Sequence, residues 1–160
     1  MKITPLDKEK LRTKEWQPEY DMLLKMTLQM RRNAYTIYSQ YKVGALLVTA
    51  DGHVFTGCNI ENAAYGPSIC AERVALVKAI SEGYTEFSAI FIIGGSAEAK
   101  GGDIATPCGV CRQVMREFCN PNDFYIICPK ADEEEHVSEY QIFTLDELLP
   151  ESFGPDHLLK

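Results

Sequence analysis

Positive charge is scarce in this chain. Sixteen lysines and arginines stand against 23 aspartates and glutamates, a formal net charge of −7. Gripping a polyanionic backbone takes clustered Lys and Arg, so nucleic acid is not an expected partner. Long apolar runs are missing too: none approaches the roughly 18 residues of a membrane span, and no charged n-region with an apolar h-region opens the sequence. The expectation is a chain that engages no membrane, is not secreted and works in the cytoplasm. Histidine is rare, and all three copies read as exposed and uninvolved: His53 at a hairpin turn, His136 and His157 in polar segments. There is no internal repeat and no low-complexity block.

What the chain does have is a core and cysteines. Hydrophobic residues make up 46 % of 160 positions, enough for one domain without disulfides. Six cysteines are present, and in an intracellular enzyme a C-x-x-C pair more often binds metal or works in redox than forms a structural bridge. Cys108 and Cys111 form such a pair, and Cys70 lies well upstream, followed by Glu72. A structural zinc site closes with four protein ligands, whereas three leave a position for water. A carboxylate two residues from one ligand is placed to move that water's protons, so the simplest reading is hydrolytic zinc chemistry. The alternative is a structural knot that takes a fourth ligand from Cys58, Cys119, Cys128 or a histidine. Those three further cysteines lie in apolar segments and read as small core residues.

The hydrophobic pattern predicts an α/β protein. Residues 1–16 are polar and aperiodic and read as a flexible extension, with residues 17–160 as a single domain. Met22, Met26, Met30, Ala34, Ile37 and Tyr38 recur at near-helical spacing and predict an amphipathic first helix over Glu19 to Tyr38. Val43 to Thr49 and His53 to Ile60 predict a hairpin around Asp51-Gly52. A helix from about Cys70 to Glu82 is expected with Ser68 as N-cap and Gly83 past its end. Ala89 to Ile93 reads as a strand stopped by Gly94-Gly95. Thr106 and Pro107 read as N-cap and first residue of a helix through Phe118. Strands at Phe124 to Cys128 and Tyr140 to Phe143 and a short helix at Leu145 to Leu149 complete the pattern, which predicts a three-layer α/β/α sandwich with a mixed central sheet of about five strands.

The spacing sets conditions on the site. Cys108 and Cys111, three apart in a first helical turn, can point the same way. Cys70 and Glu72 cooperate only if Cys70 sits at the very start of its helix. Helix N-termini favour thiolate over thiol. Three thiolates around one zinc still carry excess negative charge, and Arg73 and Arg112 are expected to drain it through hydrogen bonds to sulfur.

With these motifs in place the chain resembles the small, tetrameric class of zinc-dependent cytidine deaminases, within the cytidine and deoxycytidylate deaminase family. The resemblance spans about Tyr35 to Leu158. It rests on Gly57-Cys58-Asn59-Ile60-Glu61-Asn62-Ala63-Ala64-Tyr65, the Cys70-Ala71-Glu72-Arg73 segment, Pro107-Cys108-Gly109-Val110-Cys111-Arg112-Gln113, and Glu147-Leu148-Leu149-Pro150 before Ser152-Phe153. It implies one Zn2+ per subunit on Cys70, Cys108 and Cys111. It also implies hydrolytic deamination of cytidine and 2′-deoxycytidine to uridine and 2′-deoxyuridine in pyrimidine salvage, by attack of hydroxide supplied at the metal on C4 with Glu72 as proton shuttle. Asn59 and Glu61 would bond the sugar hydroxyls, Tyr41 would lie against the base where the family usually has Phe, and the Ala71 backbone would meet the pyrimidine amide edge. Ala63, Tyr65 and Phe153 match positions that meet substrate from or across a neighbouring subunit, which implies a homotetramer with shared sites. Ile37 stands where many relatives have proline, a departure that bears on local helix termination. Two rival readings remain: a related zinc deaminase for another aminopyrimidine nucleoside, and a non-catalytic zinc-stabilised interaction module. The Asn59-x-Glu61 pair favours an ordinary pentose.

Overall fold

Six strands form one mixed sheet between two helical layers in the computed structural model, which describes residues 1–159. The elements run α1 (Lys8–Thr13), α2 (Tyr20–Arg31), β1 (Tyr41–Thr49), β2 (Val54–Cys58), α3 (Ala71–Ser81), β3 (Phe87–Ser96), β4 (Asp103–Ile104), α4 (Gly109–Phe118), β5 (Tyr125–Ala131), β6 (Val137–Thr144) and α5 (Leu145–Leu148), then a 3-10 turn at Pro155–His157. The sheet order is β2-β1-β3-β5-β6, with the two-residue β4 added to β3. Only β3 and β5 are parallel, and α4 lies in the crossover between them, as a parallel connection requires.

Strand alternation divides the core between the two layers. Ala45, Leu47, Ile90, Ile92, Ile126 and Cys128 face α3 and α4, which present Ala71, Ala75, Ala79, Cys111 and Met115. Leu46, Val48, Ala89, Phe91, Tyr125 and Ile127 face the other way, against Tyr20 and Leu23 of α2 and Leu11 of α1. This is the three-layer sandwich the sequence predicts, with β4 as an extra strand. Small residues at 71, 75 and 79 form one face of α3 and let it lie close on the sheet. Gly57 of β2 completes that approach, because a Cβ there would come within 2.4 Å of the Ala71 carbonyl and 2.5 Å of the Ala75 nitrogen.

Several local expectations are corrected. Residues 1–16 are not a free tail. Asp7 caps α1 by accepting from the Glu9 and Lys10 amides, Leu11 is 1 % exposed, and the Lys2 backbone bridges to His53. The first helix ends at Arg31, not Tyr38, and it buries Tyr20, Leu23, Leu24, Thr27, Leu28 and Arg31 rather than the methionine row. Met22 is exposed. Ser68 and Thr106 do not cap the next helices; Cys70 and Cys108 occupy those positions. Gly94 and Gly95 do not stop β3 but pair with Val43 and Lys42 of β1. There the absent side chains make room for close approach instead of ending the ladder. β5 runs on through Pro129; past Ile127 it has no β3 partner, so a residue without an N–H is accommodated.

Candidate active site

One end of the sheet collects the predicted chemistry. There β1 begins and β2 and β3 end, since Gly44 pairs with Cys58 and Tyr41 with Ser96. The N-termini of α3 and α4 converge over it. Cys70 (φ −75°, ψ 154°) and Cys108 (φ −66°, ψ 165°) are the extended residues that precede the two helices, and neither side chain caps a backbone amide of its helix. Their sulfurs, together with that of Cys111 in the first turn of α4, all lie within 4.8 Å of one another. The Cys70 and Cys108 sulfurs are 3.8 Å apart. A disulfide would require about 2.05 Å. Two thiolates at about 2.3 Å from one ion in tetrahedral geometry stand about 3.8 Å apart, so the donors fit Zn2+.

No further His, Cys, Asp or Glu joins the cluster among the described residues. Cys58, Cys119 and Cys128 are buried and free elsewhere. His53 pairs with Asp51, and His157 stacks on Phe153 with ring centroids 4.9 Å apart. The fourth ligand that a closed structural knot requires is not supplied.

Electrostatics follow from this convergence. Without metal, Cys70 and Cys111 titrate as a pair. A hydrogen bond from Cys111, then one from Arg73, hold the Cys70 thiol down to about 5, while the same bond to Cys70 and burial push Cys111 up. Glu72, the second residue of α3, is 5 % exposed and outside the sulfur cluster. Burial raises its carboxyl to about 7; a bound cation acts in the opposite direction. Arg73 reaches the Cys70 sulfur at 3.6 Å, and its buried Nε has no acceptor. Arg112 does not share that task. Its Nε donates to the Pro107 carbonyl and its Nη1 to the Leu148 carbonyl, each at 2.7 Å. It ties the start of α4 to the end of α5, because backbone carbonyls left free at those chain ends lie within its reach.

The remaining predicted residues fall into separate groups. Glu61 accepts the Tyr38 and Ser39 amides at 3.0 and 3.1 Å, and hydrogen bonding to Ser39 lowers its pKa. A cavity of about 410 Å3 is lined by Tyr38, Ser39, Glu61, Tyr65 and Ser68. Asn59 accepts the Val43 amide at 2.8 Å and donates to the Tyr41 carbonyl at 3.0 Å, leaving one amide hydrogen and one lone pair free. The Tyr41 ring lies across Gly94, whose missing Cβ would meet the hydroxyl at 2.5 Å. Ala71 is fully buried at the head of α3, whereas Ala63 is exposed. Tyr65 is 70 % exposed and meets Tyr38 edge-on at 6.0 Å. Phe153 is 57 % exposed, its carbonyl held by Gln113 of α4 at 2.9 Å. The supporting roles of Tyr38, Ser39 and Gly94 had no local signal, because each depends on a residue distant in the chain.

Fold and site together define a metalloprotein class: an α/β/α sandwich in which two helix N-termini present three sulfurs beside a buried carboxylate. The model of the cytidine and deoxycytidylate deaminase zinc-binding region matches residues 18–128. The cytidine deaminase of Halalkalibacterium halodurans is 42 % identical over 137 residues, 86 % of this chain and 96 % of that protein. That of Sporosarcina psychrophila is 39 % identical over 141 residues, 88 % of this chain and 95 % of that protein. The crystal structure of cytidine deaminase from Burkholderia pseudomallei superposes with a TM-score of 0.70 at 40 % identity, covering 82 % of this chain and 97 % of that one. The chain belongs to the cytidine and deoxycytidylate deaminase family, and it carries a site for one zinc ion.

Proposed function

We propose that the protein is a zinc-dependent cytidine deaminase, converting cytidine and 2′-deoxycytidine to the uridine nucleosides with release of ammonia. One observation carries the reading: three sulfurs converge without a fourth protein ligand among the described residues, and a buried carboxylate stands beside them. Cys70, Cys108 and Cys111 would hold the zinc, which when bound acidifies a water. Glu72 takes a proton from the attacking water and passes it to N3 of the base. It then delivers the second proton to the exocyclic nitrogen as the bond to C4 breaks and ammonia leaves. One carboxyl serves as base and then acid, which favours a pKa near the working pH. Arg73 offsets the charge of the thiolates.

Asn59 and Glu61 bind the pentose, and Tyr41 and the Ala71 backbone flank the base. The free lone pair and amide hydrogen of Asn59 and the second oxygen of Glu61 suit hydroxyl groups, and a site built to bond them penalises the free base. A homotetramer with Ala63, Tyr65 and Phe153 contributing across subunits accounts for exposed aromatic side chains at Tyr65 and Phe153. Pyrimidine salvage in the cytoplasm is the role that the deaminase reading implies.

The test is direct: zinc-loaded protein mixed with cytidine or deoxycytidine should lose the ultraviolet signature of the aminopyrimidine. Zinc binding with no reaction on either nucleoside would favour the interaction-module reading or another substrate. Sedimentation of the holoprotein as a monomer would remove the shared-site assembly.

A further inference from the structure

Arg31, the last residue of α2, is 1 % exposed and forms no ion pair with any carboxylate among the described residues. Its guanidinium is spent on four backbone carbonyls. Nε donates to Lys42 at 3.0 Å, Nη1 to Ala99 at 3.0 Å and Gly101 at 2.9 Å, and Nη2 to Ser96 at 2.5 Å. Burying a cation without an anion is costly, and only good hydrogen bonds offset it. The bonds tie one point of α2 to both the first residues of β1 and the end of β3 with the loop that follows it, adding to the pairing of Tyr41 with Ser96. Gly44 lets the helix come this close, since a Cβ there would meet the Arg31 Cβ at 2.9 Å.

The place where Arg31 grips is one the sheet leaves weak. Pairing between β1 and β2 begins only at Gly44 and Cys58, so residues 41–43 have no β2 partner on that side. Asn59 fills the gap. Its side chain binds the Tyr41 carbonyl and the Val43 amide, and its own amide donates to the Val43 carbonyl at 3.2 Å. The Lys42 carbonyl between these two residues is held by Arg31. On the other side Tyr41 pairs with Ser96, whose carbonyl Arg31 also holds. Asn59 and Tyr41 are therefore oriented by a short stretch of backbone that Arg31 clamps.

We propose that Arg31 is a positioning residue for nucleoside binding: it fixes residues 41–43 so that Asn59 and Tyr41 are presented to the substrate in one geometry. This rests on the deaminase reading of Asn59 and Tyr41. Arg31 bonds to none of Glu72, Arg73 or the zinc-binding cysteines, so its loss acts on substrate affinity and not on the chemical step.

The experiment compares the full-length zinc-loaded protein with Arg31→Lys and Arg31→Met, measuring zinc content, thermal denaturation, and KM and kcat for cytidine. Arg31→Met is expected to raise KM about tenfold or more with kcat within about threefold of wild type, the signature of lost binding rather than lost chemistry. Arg31→Lys keeps the charge but not the fork, so it should fold and show a smaller rise. If Arg31→Met does not fold, Arg31→Lys decides. A folded variant with unchanged KM, a kcat that falls with the folded fraction at constant KM, or an Arg31→Lys that does not fold would each overturn the proposal and assign Arg31 to the fold alone. Wild-type silence toward both nucleosides removes the deaminase reading and this proposal with it; an active wild type whose folded variants keep KM removes only this proposal.

Discussion

The guanidinium of Arg73 donates to the Cys70 sulfur at 3.6 Å, and among the described residues no carboxylate lies within ion-pair distance of it. Arg73 is thus the cation that faces the metal-binding thiolates. Arg73→Gln keeps a neutral hydrogen-bond donor on a shorter side chain but deletes the charge. It is expected to lower kcat/KM about 10–100-fold and to move the acidic limb of the pH–rate profile upward, because the added negative charge makes the activated water less acidic. Superimposable pH profiles for the two proteins would remove the charge-offset role.

Glu72 is buried beside the cluster and outside the ligand set. Glu72→Gln should keep its zinc and its fold while turnover falls by about 10^2–10^4. Metal analysis together with the ultraviolet assay checks this, and near-normal turnover would defeat the shuttle.

Burial has a second consequence for the same carboxyl. Its pKa is raised from 4.5 to about 7 in the metal-free protein, so between those values the folded state binds more protons than the unfolded one. Stability must then fall as pH rises through this window. Metal-free wild type should lose up to about 3 kcal/mol relative to Glu72→Gln between pH 4.5 and 7. Parallel denaturation curves at both pH values would contradict the burial argument.

The cysteines separate by location. Cys108→Ser should abolish stoichiometric zinc and with it activity, whereas Cys119→Ala, in the core, should keep both and lose only stability. Chelation of wild type should reproduce the first effect and zinc readdition reverse it. Retention of full zinc by Cys108→Ser would point to a different ligand set.

Leu11 tests the N-terminal segment. It packs into the α2 side of the core, so Leu11→Ala is expected to cost about 2–5 kcal/mol of stability, seen as a lower denaturation midpoint. The site is built from the other end of the chain's core, so kcat and KM of the folded variant should stay near wild type. An unchanged midpoint would restore the reading of residues 1–16 as a free tail.

The first helix shows where sequence reasoning fails. Two rows of apolar residues run along residues 19–31 at helical spacing, one of methionines and one of Tyr20, Leu23, Leu24 and Leu28. Periodicity is satisfied by either row, and only the sheet decides which is covered. The N-terminal segment gives no local signal for a related reason: in residues 1–16 one leucine is buried among charges that pair with distant Asp123 and Glu147. Arg112 turns to the Pro107 and Leu148 carbonyls and not to sulfur, because adjacency in sequence says nothing about where a long side chain points.

Strand alternation, the hairpin and the donor set were legible locally, because side-chain period and ligand chemistry are properties of neighbouring residues. The sequence alone determined that Cys70, Cys108 and Cys111 could bind zinc, with a fourth ligand left open, and that Glu72 follows the first of them. Tertiary structure alone decided that Cys70 and Cys108 meet 3.8 Å apart, that no fourth His, Cys, Asp or Glu among the described residues joins them, and that Arg31 holds the strand behind Asn59. Those facts depend on helices and strands brought together through space by burial of the two core faces, and no local pattern carries that information.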